Sequence, residues 1–402
     1  MISSDGYKFF GDSGIVISNK KSGTAIFVFN ACTGEYDDLF VGFQYLKNGA
    51  YESTIQKISA GGTFPWGKKG IDLGAGLAPY PAVLSTGDIA VAWNNNGVIN
   101  YQKLSPDGTK AWSSPKEIHS STGHSVTRAQ VVAHTKGTFG IVYQDLFAAP
   151  IYTHLFMLRF NNNGNAKWDN AQKISTLTTS AARYYDVHAD NDNIYVAYYG
   201  NPQGTNRFNA YVQKVNADSS LPFGVNGASF ADYFGANDPY EKTINIVFSL
   251  NESNNFSAVC TFTNSLQTES GIYMQTFSKI TGERLLGTQA KELFPITNQM
   301  INLTGSGLKL CFGGGASAIF TFTDANNKLY ASGVDENGNF MWQNQYTTLC
   351  ATTNPKSRFG FTNFFNLESP SGGIAVWQED KGNGDNLTHK MLHATGIWAH
   401  YR

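Results

Sequence analysis

The chain has 402 residues, with 29 Lys and Arg against 30 Asp and Glu, a formal net charge of −1 and only 15% charged side chains. That balance excludes a global electrostatic drive toward nucleic acid or an anionic membrane, and no segment approaches the roughly 20 apolar residues of a helical membrane span. Its 41 glycines and 14% aromatic content point to a turn-rich all-β protein with many packed rings.

Taken in chain order, the first element is a turn-and-aromatic phrase, Asp5-Gly6-Tyr7-Lys8-Phe9-Phe10, followed by Gly11-Asp12-Ser13-Gly14-Ile15. An apolar run over 39–43 ends in Phe43, and Ile55-Gln56-Lys57-Ile58 then leads through a turn to Trp66. The sequence repeats this order with Trp93, then Tyr101-Gln102-Lys103-Leu104 and Trp112, and again with Tyr143, then 156–160 and Trp168. Tyr198, Tyr211-Val212-Gln213-Lys214-Val215 and Phe223 form the next copy. Looser copies follow with Phe262, 273–277 and Leu286, then with Phe322, 330–334 and Trp342, and a last apolar run ends in Trp377.

Seven aromatic-ending runs therefore recur at steps of 50, 50, 55, 64, 60 and 55 residues. Self-similarity at such a period means one supersecondary unit stacked repeatedly. Each period holds four short strands: an inner apolar strand A such as Tyr80-Pro81-Ala82-Val83-Leu84, the aromatic-ending B, the Gln-Lys strand C, and D after the turn aromatic. Glycines in Asp107-Gly108, Asn163-Gly164 and Asn337-Gly338 suit tight C–D hairpins. The predicted fold is a seven-bladed β-propeller with four-stranded blades, filling residues 1–402 as a single domain with no room for a linker. Trp66, Trp112, Trp168 and Trp342 are expected to be buried between blades.

Asp5-Gly6 through Phe10 matches Asp107-Gly108 through Trp112, and Phe10 through Ile15 matches Trp66 through Ile71. The chain thus opens on a strand D, and 387–392 reads as a strand C near its other end. Residues 1–18 are expected to supply strand D of the last blade, closing the ring and removing an unpaired edge. The first thirty residues lack the basic start and apolar run of a signal peptide. Cys32, Cys260, Cys311 and Cys350 show no metal-ligand spacing; free thiols are expected, with a Cys260–Cys311 bridge as the alternative.

The unit formed by Gln-Lys-aliphatic, Asp-Gly, Trp-Gly and Gly-Ile resembles tandem β-propeller repeats of secreted bacterial proteins, many of them type IX secretion cargo or cell-surface proteins. The resemblance runs from Asp5 to about Trp398. It implies an exported protein, extracellular or at the cell surface, that presents a glycan- or protein-binding face as a monomeric domain or as a module of a larger assembly. A structural subunit of a cell-surface or secretion assembly is a further alternative. No sorting domain and no WD pattern is present, and the turn at 105–112 has its glycine one place early for the Asp box of sialidases.

Propellers gather their D–A connections and B–C loops at one end, where ligands usually bind. The predicted ligand-binding set there is Tyr80, His124, Arg128, Arg183, Tyr184, Tyr240, Lys356 and Arg358, an aromatic and cationic group suited to sugars or carboxylated glycans. The catalytic alternative is a polysaccharide lyase or hydrolase, since elimination beside a uronate needs a base and cations. His134 and His154 fall at opposite ends of one blade and His188 reads as an A–B turn residue, so no catalytic residue is assigned. Glu379, Asp380 and Asp385 sit in an acidic loop with oxygen ligands of the kind Ca²⁺ takes, but the loop lacks EF-hand spacing and reads as a solvated turn. No other metal or cofactor is implied. Deleting residues 1–18 should lower the thermal unfolding temperature or cause aggregation, and unchanged unfolding would remove the closing strand from the architecture.

Overall fold

The structure, a computed structural model, describes residues 29–34, 38–120, 123–148, 151–179, 185–201, 208–232, 242–250, 254–264, 266, 268–298, 302–303, 311–313, 317–363, 372–380 and 390–398. Their regular structure is almost wholly β, with one short 3-10 turn at Thr135–Gly137. Four strands form the first antiparallel sheet: β1 (Phe29–Thr33), β2 (Leu39–Lys47), β3 (Ala50–Ile58) and β4 (Ile71–Ala75). The second holds β5 (Leu77–Val83), β6 (Ile89–Asn95), β7 (Val98–Leu104) and β8 (Lys116–Ile118), and the third β9 (Ser125–Ala133), β10 (Phe139–Ala148), β11 (Ile151–Phe160) and β12 (Gln172–Lys173).

The fourth sheet comprises β13 (Asp186–Asp190), β14 (Asn193–Gly200), β15 (Asn209–Val215) and β16 (Ala228–Ser229). The fifth comprises β17 (Lys242–Leu250), β18 (Asn255–Thr263), β19 (Ser270–Ser278) and β20 (Lys291–Thr297). In the sixth, β21 (Asn302–Leu303) and β22 (Cys311–Gly313) both pair with β23 (Ser317–Thr323), which continues to β24 (Leu329–Val334) and β25 (Thr347–Cys350). The seventh has β26 (Lys356–Asn363), β27 (Gly372–Asp380) and β28 (Lys390–Trp398). Residues 1–28 lie outside the described residues, and with them the expected closing strand.

The chain divides into two compact units. The first takes in residues 1–176, 189–194 and 217–219, and the second the remainder. In the first, Ile55, Ile89, Val91, Trp93 and Leu104 make one core cluster, and Ile99, Tyr101, Ile141 and Phe160 belong to another. The second unit packs Tyr195, Phe230, Phe256, Phe262 and Phe277 together. Strand β6 is buried along five consecutive residues, Ile89 to Trp93. A strand with both faces covered needs no polar alternation, which is why the B runs read as continuous apolar segments.

The recurring glutamine is a buried clamp. In β3, Gln56 Nε2 donates to the Gly67 carbonyl at 2.9 Å while its Oε1 accepts from Lys57 N at 3.1 Å. Gln102 repeats this with Trp112 O at 2.9 Å and Lys103 N at 2.9 Å, and Gln213 with Gly224 O at 2.7 Å and Lys214 N at 3.0 Å. Gln275 grips Gly287 O at 2.8 Å and the Thr276 and Leu286 amides at 3.1 and 2.9 Å. Each buried amide thereby finds its partners in the backbone of its own strand and of the C–D turn, and ties the two together.

The residue after the clamp reaches outward. Lys57 pairs with Asp38 at 2.9 Å, and Lys103 pairs with Asp88 at 3.0 Å and with Asn162 Oδ1 at 2.9 Å in the third sheet's turn. Arg159 takes that position in β11 and binds Asp192 through the carboxylate at 2.7 Å and the carbonyl at 3.0 Å.

The turn aromatics are half-buried rather than enclosed as expected. Trp66, Trp112 and Trp168 each plate the edge of their own sheet and touch the next sheet's C–D turn, with part of the ring left in solvent, while Trp342 packs against Gly333 of its own sheet. Trp66 Nε1 donates to Pro106 O at 3.1 Å, and Trp168 Nε1 donates to Ala217 O at 3.1 Å. Gly164, at φ +67°, lies so close to Trp112 that a Cβ there would fall 2.2 Å from the indole. Cys32, Cys260 and Cys350 are in no disulfide, so the alternative Cys260–Cys311 bridge does not form; Cys260 is enclosed in the apolar β18. Replacing Gly164 by Ala should cost about 2–4 kcal/mol through strain at positive φ and overpacking. In a Trp112→Ala background the steric part should vanish, so a denaturant double-mutant cycle should give clear non-additivity.

Candidate functional site

Among the described residues, the third sheet brings the most chemistry together. Val142 pairs with Gln130 and Gln144 with Thr127, so Tyr143 faces a bulge made by Arg128 and Ala129. Arg128 adopts φ 54°, a region that costs a non-glycine residue about 1 kcal/mol or more. Bulges bend a strand and re-aim its side chains. Comparable shifts interrupt β5, with Ala78 at φ 51°, and β26 between Ser357 and Gly360. The bulge is thus a scaffold feature, and in β9 it carries a cation.

One step further along β10, Asp145 pairs with Val126 on one side and His154 on the other. Directly opposed residues project to the same face of a sheet, which makes Asp145 and His154 neighbours. His124, from the connection before β9, brings Nδ1 to 3.7 Å from Asp145 Oδ2. This is ion-pair range but too long for a hydrogen bond. The His124 ring packs on Phe147 with centroids 3.9 Å apart, and Phe147 meets His154 at 5.6 Å in a T-shaped arrangement. Asp145 is 5% exposed, and its Oδ1 is buried with no hydrogen-bond partner.

Burial, with the Asp145 charge adding, pushes the Tyr143 phenol far above its ordinary range, so it remains a neutral hydroxyl. Burial lowers the Lys173 ammonium while Asp145 opposes that shift. The arrangement offers a buried acceptor, two imidazoles, an aromatic edge and two cationic side chains at one end of one sheet. Among the described residues no group of three or more His, Cys, Asp or Glu is placed to hold a metal.

Of the predicted binding residues, only His124 and Arg128 meet here. Tyr80 lies in β5 and packs, half-buried, on the core cluster that includes Tyr101 and Phe139. Lys356 begins β26, and its ammonium donates to Thr352 O at 2.7 Å and Asn354 O at 3.1 Å. Arg358 belongs to β26, with its side chain outside the description; Arg183, Tyr184 and Tyr240 lie outside the described residues altogether. Glu379 and Asp380 end β27, while their side chains and Asp385 lie outside the description, and with them the proposed Ca²⁺ loop.

Sequence reading missed Asp145, Phe147 and Lys173. The signal for Asp145 was faint: a carboxylate two residues past the Tyr143 aromatic, beside Gln144 in a mostly apolar strand. His154 was judged against His134 rather than His124. The structure keeps His134 and His154 at opposite ends, with His134 in the A–B turn beside the 3-10 segment. His188, expected in a turn, is part of β13, with Nε2 3.1 Å from Asp186 Oδ2. β13 continues past His188 to Asp190.

No model of a known protein family matches the chain, and no curated protein matches it in sequence. Solved structures do match. The chain is similar to the BP39L lectin from Burkholderia pseudomallei, at 12% identity over 92% of this chain and 95% of that one, with a TM-score of 0.58. It is also similar to the polysaccharide lyase Uly1, at 8% identity over 98% and 93% of the two chains, with a TM-score of 0.52. The β-propeller domain of the trilobed protease from Pyrococcus furiosus matches at 10% identity over 93% of each chain, with a TM-score of 0.44. At such identities the likeness is one of fold, and the repeated four-stranded antiparallel sheets are those of a β-propeller.

His134 supplies a pH test of the scaffold. Burial, reinforced by Arg159, lowers its pKa from 6.5 to about 4, and Nδ1 lies 3.3 Å from the Asn191 carbonyl oxygen. The unfolded chain binds this proton more readily, so the contribution is complete above pH 6.5 and is lost as pH falls toward 4. Between about pH 7 and about pH 4.5, wild type should lose about 2–3 kcal/mol more than His134→Gln in urea unfolding. Equal losses would mean that His134 is not held neutral.

Proposed function

We propose that this chain is a carbohydrate-binding β-propeller whose glycan site lies on the third sheet, where D–A connections and B–C loops meet. The observation that carries this reading is the His124, Phe147 and His154 ring cluster beside the buried Asp145 carboxylate. Sugars present apolar C–H faces and hydroxyl donors, and an aromatic edge with a fixed acceptor complements both. A lectin and a polysaccharide lyase of similar fold add support, because the names of both proteins tie them to carbohydrate. The sequence assigns Arg128 and Arg183 to this face as cations for a carboxylated glycan, and the double variant below tests that assignment.

A catalytic face is the second reading, favoured by the approach of His124 to Asp145, since a carboxylate can orient an imidazole for proton transfer. The finer architecture is part of the same proposal: one domain over residues 1–402, seven sheets acting as seven blades, and residues 1–18 completing the last. The last sheet has three strands among the described residues where most others have four, which supports that closure. Export to the cell surface or beyond rests on the resemblance of the repeats to those of secreted bacterial proteins. In that setting a protein partner on the same face is the alternative to glycan.

Calorimetric titration with neutral and uronate-containing oligosaccharides tests the reading, run on wild type, His124→Ala and the Arg128→Ala/Arg183→Ala double variant. Wild type should bind at least one of the panel, and His124→Ala should weaken that binding about tenfold or more, the usual scale for losing a central contact. New ultraviolet absorbance from unsaturated products, lost in His124→Ala, would establish the catalytic version. Silence across the panel rejects carbohydrate as the ligand.

A further inference from the structure

Among the described residues, Asp145 is left incomplete. Its position is rigid: Val126 and His154 flank it in register, and only 5% of the residue is exposed. One oxygen, Oδ2, has His124 Nδ1 at 3.7 Å. The other, Oδ1, is buried without a hydrogen-bond partner. Removing a carboxylate oxygen from water without supplying a donor costs stability. Such groups are rare in native proteins, and each calls for a specific explanation. The surrounding groups do not supply one: the Asp145 charge acts on the Tyr143 phenol and the Lys173 ammonium, raising the pKa of each, and neither group forms a hydrogen bond to it among the described contacts. What the site lacks among the described residues is therefore a donor.

We propose that Asp145 is the specificity-determining group of the glycan site, its Oδ1 accepting a hydrogen bond from a hydroxyl of a neutral pyranose. The sugar's apolar C–H face would lie against the half-buried His124 and Phe147 edge. This inference rests on the glycan-binding reading and sets its substrate class. A uronate would bring a second carboxylate toward a buried one, and like charges repel strongly where water is excluded. Neutral sugars supply the missing donor without that penalty. The sequence had favoured carboxylated glycans on the strength of its arginines and lysines, but Lys356 spends its ammonium on backbone carbonyls.

Asp145→Asn keeps the shape and removes the charge. If Asp145 is kept for a ligand, the unliganded variant should melt at or above the wild-type temperature, because an unsatisfied buried charge is gone. Its affinity for neutral oligosaccharides should fall about tenfold or more, the range for losing a charge-assisted hydrogen bond. Neutral oligosaccharides should raise the melting temperature of wild type and not of the variant, and the wild-type preference for neutral over uronate ligands should shrink. Asp145→Ser, which is smaller and also uncharged, should lose binding in the same way. If wild type binds neutral glycans and Asp145→Asn binds them equally well, the inference is overturned and the glycan reading stands. The same holds if wild type prefers uronates. If wild type binds nothing in the panel, the glycan reading falls and the inference with it.

Discussion

The clamp made by the strand C glutamine is the interaction on which the rest of the architecture depends. A glutamine side chain buried in an apolar sheet needs partners for its own amide, and each polar atom left unpaired would cost on the order of 1–3 kcal/mol. A primary amide carries one acceptor and two donors on a planar group, so a single buried side chain serves both strand and turn. Gln56, Gln102, Gln213 and Gln275 all do this with carbonyl contacts of 2.7–2.9 Å. A turn held in this way presents its glycine and its aromatic at fixed positions. That in turn allows Trp112 to seat on Gly164 and Phe223 on Gly282.

The same design divides the chemistry of the sheets between their two ends. Where A–B and C–D turns lie, charged groups are paired: Lys57 with Asp38, Lys103 with Asp88 and Asn162, Arg159 with Asp192. His134 belongs to that end and is buried in neutral form. At the other end of the third sheet the pattern reverses. Arg128 sits on a strained bulge, and Asp145 retains an oxygen without a hydrogen-bond partner among the described residues. On the third sheet the strained bulge and the unpaired Asp145 oxygen lie at the same end, while the turn end has its own buried unpaired atoms at His134 Nε2 and Arg159 Nε and a positive φ at Lys136. The stability lost at Asp145 is small beside the burial that holds its sheet together.

Much of the fold was legible in the sequence because its signals are local. Strand B runs are apolar on both faces, the Gln-Lys phrase marks strand C, and Asp-Gly or Asn-Gly marks the hairpin that follows. Each signal arises from residues within a few positions of one another, so a single chain displays it. The burial of Trp66, Trp112, Trp168 and Trp342 was overestimated for the same reason. A tryptophan in a repeat looks like core, but whether its outer edge is covered depends on the next sheet's turn.

The candidate site was legible only in part. Composition and repeat spacing by themselves determined that this chain is all-β, that it is built from recurring antiparallel units, and that His124 and Arg128 fall on the same end of one unit. Tertiary structure alone decided that Asp145 and His154 stand opposite each other in register, that Phe147 joins the two imidazoles, and that Lys356 is tied to its own loop. The physical reason is register: pairing between strands sets which residues become neighbours, and a shift of one position would turn Asp145 to the other face. Nothing in the local pattern around Asp145 specifies the bulge at Arg128 that sets that register.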